Sequence, residues 1–286
     1  MRPDWRQRRE AVLIPSAAVI ASQATPANRP FELRLDALDV TLFDAIGAQS
    51  TRRDQRSLLA CQCAVRAAVT PYVYLEIGSH LGGSLQPHVL DPACAVMHSI
   101  DPRPFDQPDQ RGVRFAYPGN STGRMLDHLE GLRPDARARV RCYEQSAPAI
   151  DPAAIAPAPQ LCFIDGEHTD AAVRADFAFC RRVLAPEGLI LFHDAGIVYN
   201  ALAAIIDELD AEAVAYRAVA LPDAVFAIEF GDRGLLESAA LAAVQRDGYR
   251  GYLATLQSND SYRQFFSRWP FPWLRRLRTL GSSSRG

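Results

Sequence analysis

Asp165, His168, His193 and Asp194 are the side chains whose types and spacing invite chemistry. Asp165 and His168 lie in "FIDGEH", His193 and Asp194 in "LFHD", each motif closing a short apolar run that reads as a strand. If those strands are neighbours, Asp165, His193 and Asp194 converge on one pocket rim. Carboxylate oxygens suit a hard divalent cation such as Mg²⁺. The imidazole of His193 shifts the preference towards Mn²⁺, Fe²⁺ or Zn²⁺. The alternative is that no cation binds and Asp194 is structural. His168 titrates in the range where a side chain takes up a proton near neutral pH. All 31 Lys and Arg positions are Arg, so no lysine competes for the role of base. Glu167 reads as a solvated loop acid, and His80, His88, His98 and His128 as structural or surface residues.

A second constellation precedes these. "YLEIGSHLGGSL" sets Glu76, Gly78, Gly82 and Ser84 directly behind strand-forming residues, and "HSIDP" ends a later run on Asp101. In an open parallel sheet, ligands bind beyond the carboxyl ends of the strands. Glycines there let backbone approach a ligand closely, and an acid at the end of the second strand commonly accepts hydrogen bonds from ribose hydroxyls. These features do not by themselves separate a dinucleotide from another adenosine cofactor. The spacing Gly78-x-x-x-Gly82-Gly83 departs from the dinucleotide pattern G-x-G-x-x-G.

The elements that must position these residues follow from periodicity. Strands are expected at 72–77, 96–101, 139–143, 160–165, 188–193, 213–221 and 224–230, and helices at 52–69, 120–132, 170–184 and 199–209. Alternation at this spacing implies βαβ units and a parallel sheet. The last two strands are joined by "PDA", too short for a crossover, so that pair must be antiparallel.

The 286 residues suffice for a sizeable core, with 48% hydrophobic and 22% charged residues and a net charge of −2. That balance gives no general attraction to nucleic acid or anionic membrane. No apolar stretch is long enough to span a bilayer. Six dispersed cysteines without a CxxC pair read as buried thiols in a reducing, cytoplasmic setting. The Arg-rich start reads as a flexible or helical arm, with a targeting signal as the alternative. The tail "SYRQFFSRWPFPWLRRLRTLGSSSRG" mixes Arg with aromatics and is expected to dock on its own domain or on a second copy rather than on lipid.

Glu76-Ile77-Gly78-Ser79-His80-Leu81-Gly82-Gly83-Ser84 resembles the first motif of class I S-adenosylmethionine-dependent methyltransferases. "LAPEGLILFHDA" resembles their later turn-and-strand motif. "CFIDGEHTDAAVRADF" is similar to the fourth-strand motif of the small O-methyltransferase-like group, which includes catechol and macrocin O-methyltransferases. The resemblance implies a Rossmann-like α/β fold, a doubly wound and mostly parallel seven-stranded sheet with an antiparallel C-terminal hairpin. The methyltransferase domain would cover 56–230, between an arm or cap at 1–55 and a helical extension at 231–286 through which the chain could form homo-oligomers. The resemblance also implies S-adenosylmethionine as cofactor. Glu76 and Asp165 would lie near its amine, with Gly78 and Gly82 beside it and Ser84 at its carboxylate. Asp101 would hold the ribose and Ser146 the adenine. His168 stands where the group places a catalytic Lys or His, kept neutral by a helix N-terminus so that it can deprotonate an acceptor hydroxyl. Asp165, His193 and Asp194 would hold Mg²⁺ or Mn²⁺, although His193 occupies a position usually acidic and Ala195 follows where some relatives have Asn. The acceptor would be a small molecule or a sugar. Rival readings are an NAD-dependent oxidoreductase and a catalytically inactive cofactor-binding or assembly subunit.

Overall fold

The computed structural model describes residues 29–244, 248–268 and 270. Residues 1–28, where the arm or targeting segment was expected, and 271–286, most of the aromatic tail, lie outside the described residues. The first elements are helices α1 (Phe31–Asp36) and α2 (Arg52–Ala68), then strand β1 (Tyr72–Ile77), α3 (Gln86–Leu90) and β2 (Cys94–Ile100). A small hairpin, β3 (Asp106–Pro108) and β4 (Arg114–Ala116), precedes α4 (Thr122–Leu132), α5 (Ala136–Arg139) and β5 (Val140–Tyr143). Next come β6 (Leu161–Ile164), α6 (Asp170–Val183), β7 (Gly188–Phe192), α7 (Tyr199–Ala211), β8 (Tyr216–Ala220) and β9 (Phe226–Phe230). Helices α8 (Ala239–Ala242) and α9 (Tyr249–Ser267) close the described chain.

The sheet has seven strands in the order β5-β2-β1-β6-β7-β9-β8. β9 runs antiparallel to both β7 and β8, and the other pairings are parallel. The order reverses direction between β1 and β6, the switch point where the carboxyl ends of such a sheet leave a crevice.

Alternation along each central strand feeds two cores. Tyr72 and Tyr74 of β1, Leu161 and Phe163 of β6, and Leu189 and Leu191 of β7 pack on one face with α1, α2 and α4. Leu75 and Ile77, Cys162 and Ile164, and Ile190 and Phe192 pack on the other with α6 and α7. Because both faces are covered, the strands read as continuous apolar runs rather than as alternating ones. Residues Leu35, Leu42, Phe43 and Ile46 join the first core, so the segment ahead of α2 belongs to the same packing unit as the sheet.

One boundary moved for a local reason. The strand expected from 213 begins at Tyr216, because Ala213 takes a left-handed φ of 53° and the Val214 amide closes α7 by bonding Leu209 O at 3.0 Å.

Candidate active site

The parity that divides the cores also positions the site. Continuing 72, 74, 76 along β1, 161, 163, 165 along β6 and 189, 191, 193 along β7 brings Glu76, Asp165 and His193 to the face covered by α2. The ladder extends past the strands to hold two of them, with Asp165 N bonding Ile77 O at 2.9 Å and His193 N bonding Ile164 O at 3.0 Å.

Asp165, His168, His193 and Asp194 meet as one cluster. His168 Nε2 lies 3.3 Å from both Asp165 Oδ1 and Asp194 Oδ2. His193 Nδ1 lies 3.1 Å from Asp165 Oδ1 and 3.5 Å from Asp194 Oδ2. Asp194 adopts a left-handed φ of 49°, a conformation Asp tolerates better than most residues. One ligand atom each from Asp165, His168 and Asp194 lie within 4.8 Å of one another, an arrangement able to hold a metal ion. In that group His168 stands where His193 was expected.

His193 is instead wedged between Asp165 and Asp54, whose Oδ2 is 3.5 Å from Nε2. Asp54 is buried in the first turn of α2 and belongs to the capping box with Thr51. Its other oxygen accepts the Ala224 amide at 2.9 Å. Nothing in the sequence around Asp54 distinguishes it from an ordinary helix-capping acid.

Electrostatics follow from this packing. Burial pushes the Asp165 carboxyl up, but His193 and His168 override it and hold the group at about 2. Burial pulls the His168 imidazole down, and the Asp165 and Asp194 carboxylates more than reverse that, so its pKa is raised. The helix N-terminus was expected to lower it, but two carboxylates at 3.3 Å outweigh half a unit of dipole charge at the start of α6. His193 is raised well above its ordinary value by Asp165, Asp194 and Asp54 against the opposing effect of burial.

The glycine turn does its work at the same crevice. Gly78 has φ +94°, and a Cβ there would lie 2.1 Å from Asp165 O. Gly82 has φ +88°, and its Cβ would press on Met125 and Leu129 of α4. Both glycines therefore serve close packing of protein on protein, before any question of a ligand.

A pocket opens beside this turn, lined by Gly78, Ser79, His80, Ser84, Asp101 and, across from them, Asp165 and His168. Residues 47–50 and Gln107, Tyr117 and Asn120 from the excursion after β2 complete its wall. The cavity volume is about 50 Å³.

Asp101 accepts backbone amides from His80 at 2.8 Å and Arg103 at 2.7 Å, and its Oδ2 also pairs with Arg103 Nη1 at 3.3 Å. Ser79 Oγ and His80 Nε2 are buried without a hydrogen-bond partner among the described residues. Buried polar atoms are rarely left so, and a ligand with its own donors and acceptors fits them. His80, expected to be structural, thus lines the pocket. The two glycines around it were the available signal.

Two expected positions sit elsewhere. Ser146 is exposed at the start of a 3-10 turn and does not line the pocket. Glu76 is fully buried behind the pocket wall, accepting hydrogen bonds from Ser84 Oγ and from Tyr74 OH at 2.8 Å. Its reach to a ligand therefore passes through Ser84. The histidines at 88 and 98 are buried and bonded to Tyr72 OH at 2.9 Å and Tyr143 OH at 3.2 Å.

Burial raises the Glu76 carboxyl to about 8 against the pull of its two hydroxyl donors, with Asp165 and Asp101 adding to the rise. Between its ordinary value of 4.5 and about 8, the folded chain holds a proton that the unfolded chain releases. Stability from this group is complete below that window and is lost as pH rises through it. Glu76→Gln keeps the neutral shape, so the slope of thermal midpoint against pH from 5 to 8 should flatten in the variant. Parallel profiles for the two proteins would refute the assignment.

A sheet of this order with one antiparallel strand, and a glycine turn and an acid at the ends of its first two strands, match the Rossmann-like methyltransferase fold. Residues 75–195 match the family model described as a methyltransferase domain. Solved structures of similar shape include the O-methyltransferase TomG of Streptomyces achromogenes in complex with SAM, at 12% identity, covering 75% of this chain and 95% of that one with a TM-score of 0.46. An O-methyltransferase from Bacillus cereus in complex with SAH is 13% identical, with 77% and 94% covered and a TM-score of 0.45. No curated protein matches the chain. Among the described residues, no helix is long and apolar enough to cross a membrane.

Proposed function

We propose that the chain transfers the methyl group of S-adenosylmethionine to a hydroxyl of a small-molecule or sugar acceptor, with His168 as general base. One observation carries this reading. Gly78, Ser84 and Asp101, expected at the cofactor, and the Asp165 and His168 side chains suited to activating a hydroxyl, line the same pocket.

The acceptor oxygen attacks the methyl carbon as the carbon–sulfur bond breaks, and the sulfonium becomes a neutral thioether. The hydroxyl proton passes to His168. With Nε2–H donated to the carboxylate of Asp165 or Asp194, Nδ1 keeps the lone pair that takes this proton. The two carboxylates then stabilise the imidazolium that forms. On the cofactor side, Ser84, Ser79 and Asp101 supply the polar groups, and Gly78 keeps the turn against the end of β6. Six free cysteines support a reducing, cytoplasmic setting.

A second reading is favoured by the ligand-capable geometry of Asp165, His168 and Asp194. Two carboxylates and an imidazole fit Mn²⁺ or Mg²⁺, which would lower the pKa of a bound hydroxyl as a Lewis acid. Nε2 of His168 cannot both donate to a carboxylate and ligate a cation. Labelled S-adenosylmethionine supplied with pools of hydroxylated acceptors tests the reaction itself. Turnover is expected to survive EDTA, with Asp194→Ala slowed but active. Loss of turnover in EDTA, restored by Mn²⁺ in the parent and not in Asp194→Ala, would transfer the activating role to a cation.

A further inference from the structure

Tyr117 lines the pocket from the excursion between β2 and α4, and no step described so far uses it. It follows β4 directly and is half-buried. Its backbone is pinned on both sides, the amide donating to Phe105 O at 2.7 Å and the carbonyl accepting the Asn120 amide at 3.3 Å. Its ring stands nearly perpendicular to the His80 imidazole, with centroids 5.3 Å apart and planes at 69°. Those neighbours are held in turn. Arg103 Nη1 donates to Asn120 Oδ1 at 2.9 Å and also to His80 O. One guanidinium thus ties the glycine turn to the loop that carries the phenol.

Tyr117 also stands between the two halves of the pocket. Asp101 and the turn at 78–80 lie on the side expected to hold the cofactor, Asp165 and His168 on the reacting side, and all line one cavity. Burial raises the Tyr117 phenol above its ordinary 10, and Asp165, Asp194 and Asp101 add to the rise. Carboxylates of both sides therefore act on the one hydroxyl, and the ring stays neutral near pH 7. In S-adenosylmethionine the sulfonium is bonded to the 5′ carbon of the ribose and to the methyl group that leaves. With the ribose at Asp101 and the acceptor oxygen at His168, the sulfur must lie in the interval between them. That is the interval Tyr117 covers.

We propose that the Tyr117 ring faces the sulfonium of the cofactor and selects the charged substrate over the neutral thioether product. The inference rests on the methyltransferase reading above and adds a specificity-determining residue from the excursion after β2. The face of an aromatic ring is electron-rich and attracts a cation lying within about 6 Å of its centroid. That attraction is worth roughly 2–30-fold in affinity, whereas a neutral thioether gains contact area alone. Methyl transfer removes the charge, so the ring loosens its hold as the reaction completes. Asp101 and Asp165 favour a cation as well, and replacing Tyr117 leaves both in place.

The test is calorimetry of S-adenosylmethionine and S-adenosylhomocysteine on the full chain and on its Tyr117→Phe and Tyr117→Leu variants. Tyr117→Leu keeps an apolar side chain and removes the ring. It should weaken S-adenosylmethionine roughly tenfold and S-adenosylhomocysteine by no more than about twofold. Tyr117→Phe keeps the ring and should hold the parent's ratio of the two affinities within about twofold. Retained binding of S-adenosylhomocysteine also reports that each variant is folded. Equal losses for both ligands in Tyr117→Leu would reduce the ring to packing and overturn the proposal, as would two unchanged affinities. A ratio that falls as far in Tyr117→Phe as in Tyr117→Leu would assign selection to the hydroxyl and overturn the role of the ring. A parent that binds neither ligand would instead overturn the methyltransferase reading beneath it.

Discussion

His168→Ala should slow methyl transfer by about 10²–10⁴-fold, the usual cost of losing a positioned base, while S-adenosylmethionine affinity stays within error of the parent. The separation is expected because His168 reaches the crevice from the loop after β6, opposite the turn at 78–84. The pH profile adds a second signature. The imidazole accepts a proton only when neutral, and Asp165 and Asp194 raise its pKa against the effect of burial. The rate should therefore climb with pH through a limb lying above the ordinary 6.5 of histidine. Asp165→Asn removes one of the two raising carboxylates, so the limb should move to lower pH even as the reaction slows. Near-normal turnover in His168→Ala would strike out the base. A limb that stays in place in Asp165→Asn would show that the titrating group is another residue.

Gly78→Val is the second large effect, and the structure changes its cause. The sequence places Gly78 beside the cofactor, but a Cβ there meets the carbonyl of Asp165 at 2.1 Å and Gly166 Cα at 2.8 Å. Both are backbone, so β1 and β6 must part at their carboxyl ends, and φ +94° adds strain that a β-branched residue cannot relieve. A loss of about 3–5 kcal/mol is expected, at the severe end for single substitutions. The displaced atoms include those that aim Asp165 at His168 and His193. Cofactor binding and turnover should fail together, with a lowered thermal midpoint. A variant that keeps the parent's midpoint and loses only binding would restore direct blocking. One that keeps both would show that the turn is not required for the site.

The sequence by itself determined the seven strands, the antiparallel end and the strand-end positions of Asp101, Asp165, His193 and Asp194. Those depend on short-range signals, namely apolar runs, glycine breaks and a three-residue link too short for a crossover. It also placed Gly78 and Gly82 correctly in the turn, though not the reason for them, since what a missing Cβ avoids is set by a neighbouring chain segment. The tertiary structure alone decided which histidine joins Asp165 and Asp194 in the ligand-capable group. His168 and His193 are alike as residue types; strand parity turns His193 towards α2 and Asp54, while the β6–α6 loop leaves His168 at the pocket. The same holds for Glu76, whose even position on β1 buries it behind Ser84. It holds too for the β3–β4 hairpin, whose strands of three residues each are too short to show a period and are held in place by pairing with the His168 loop.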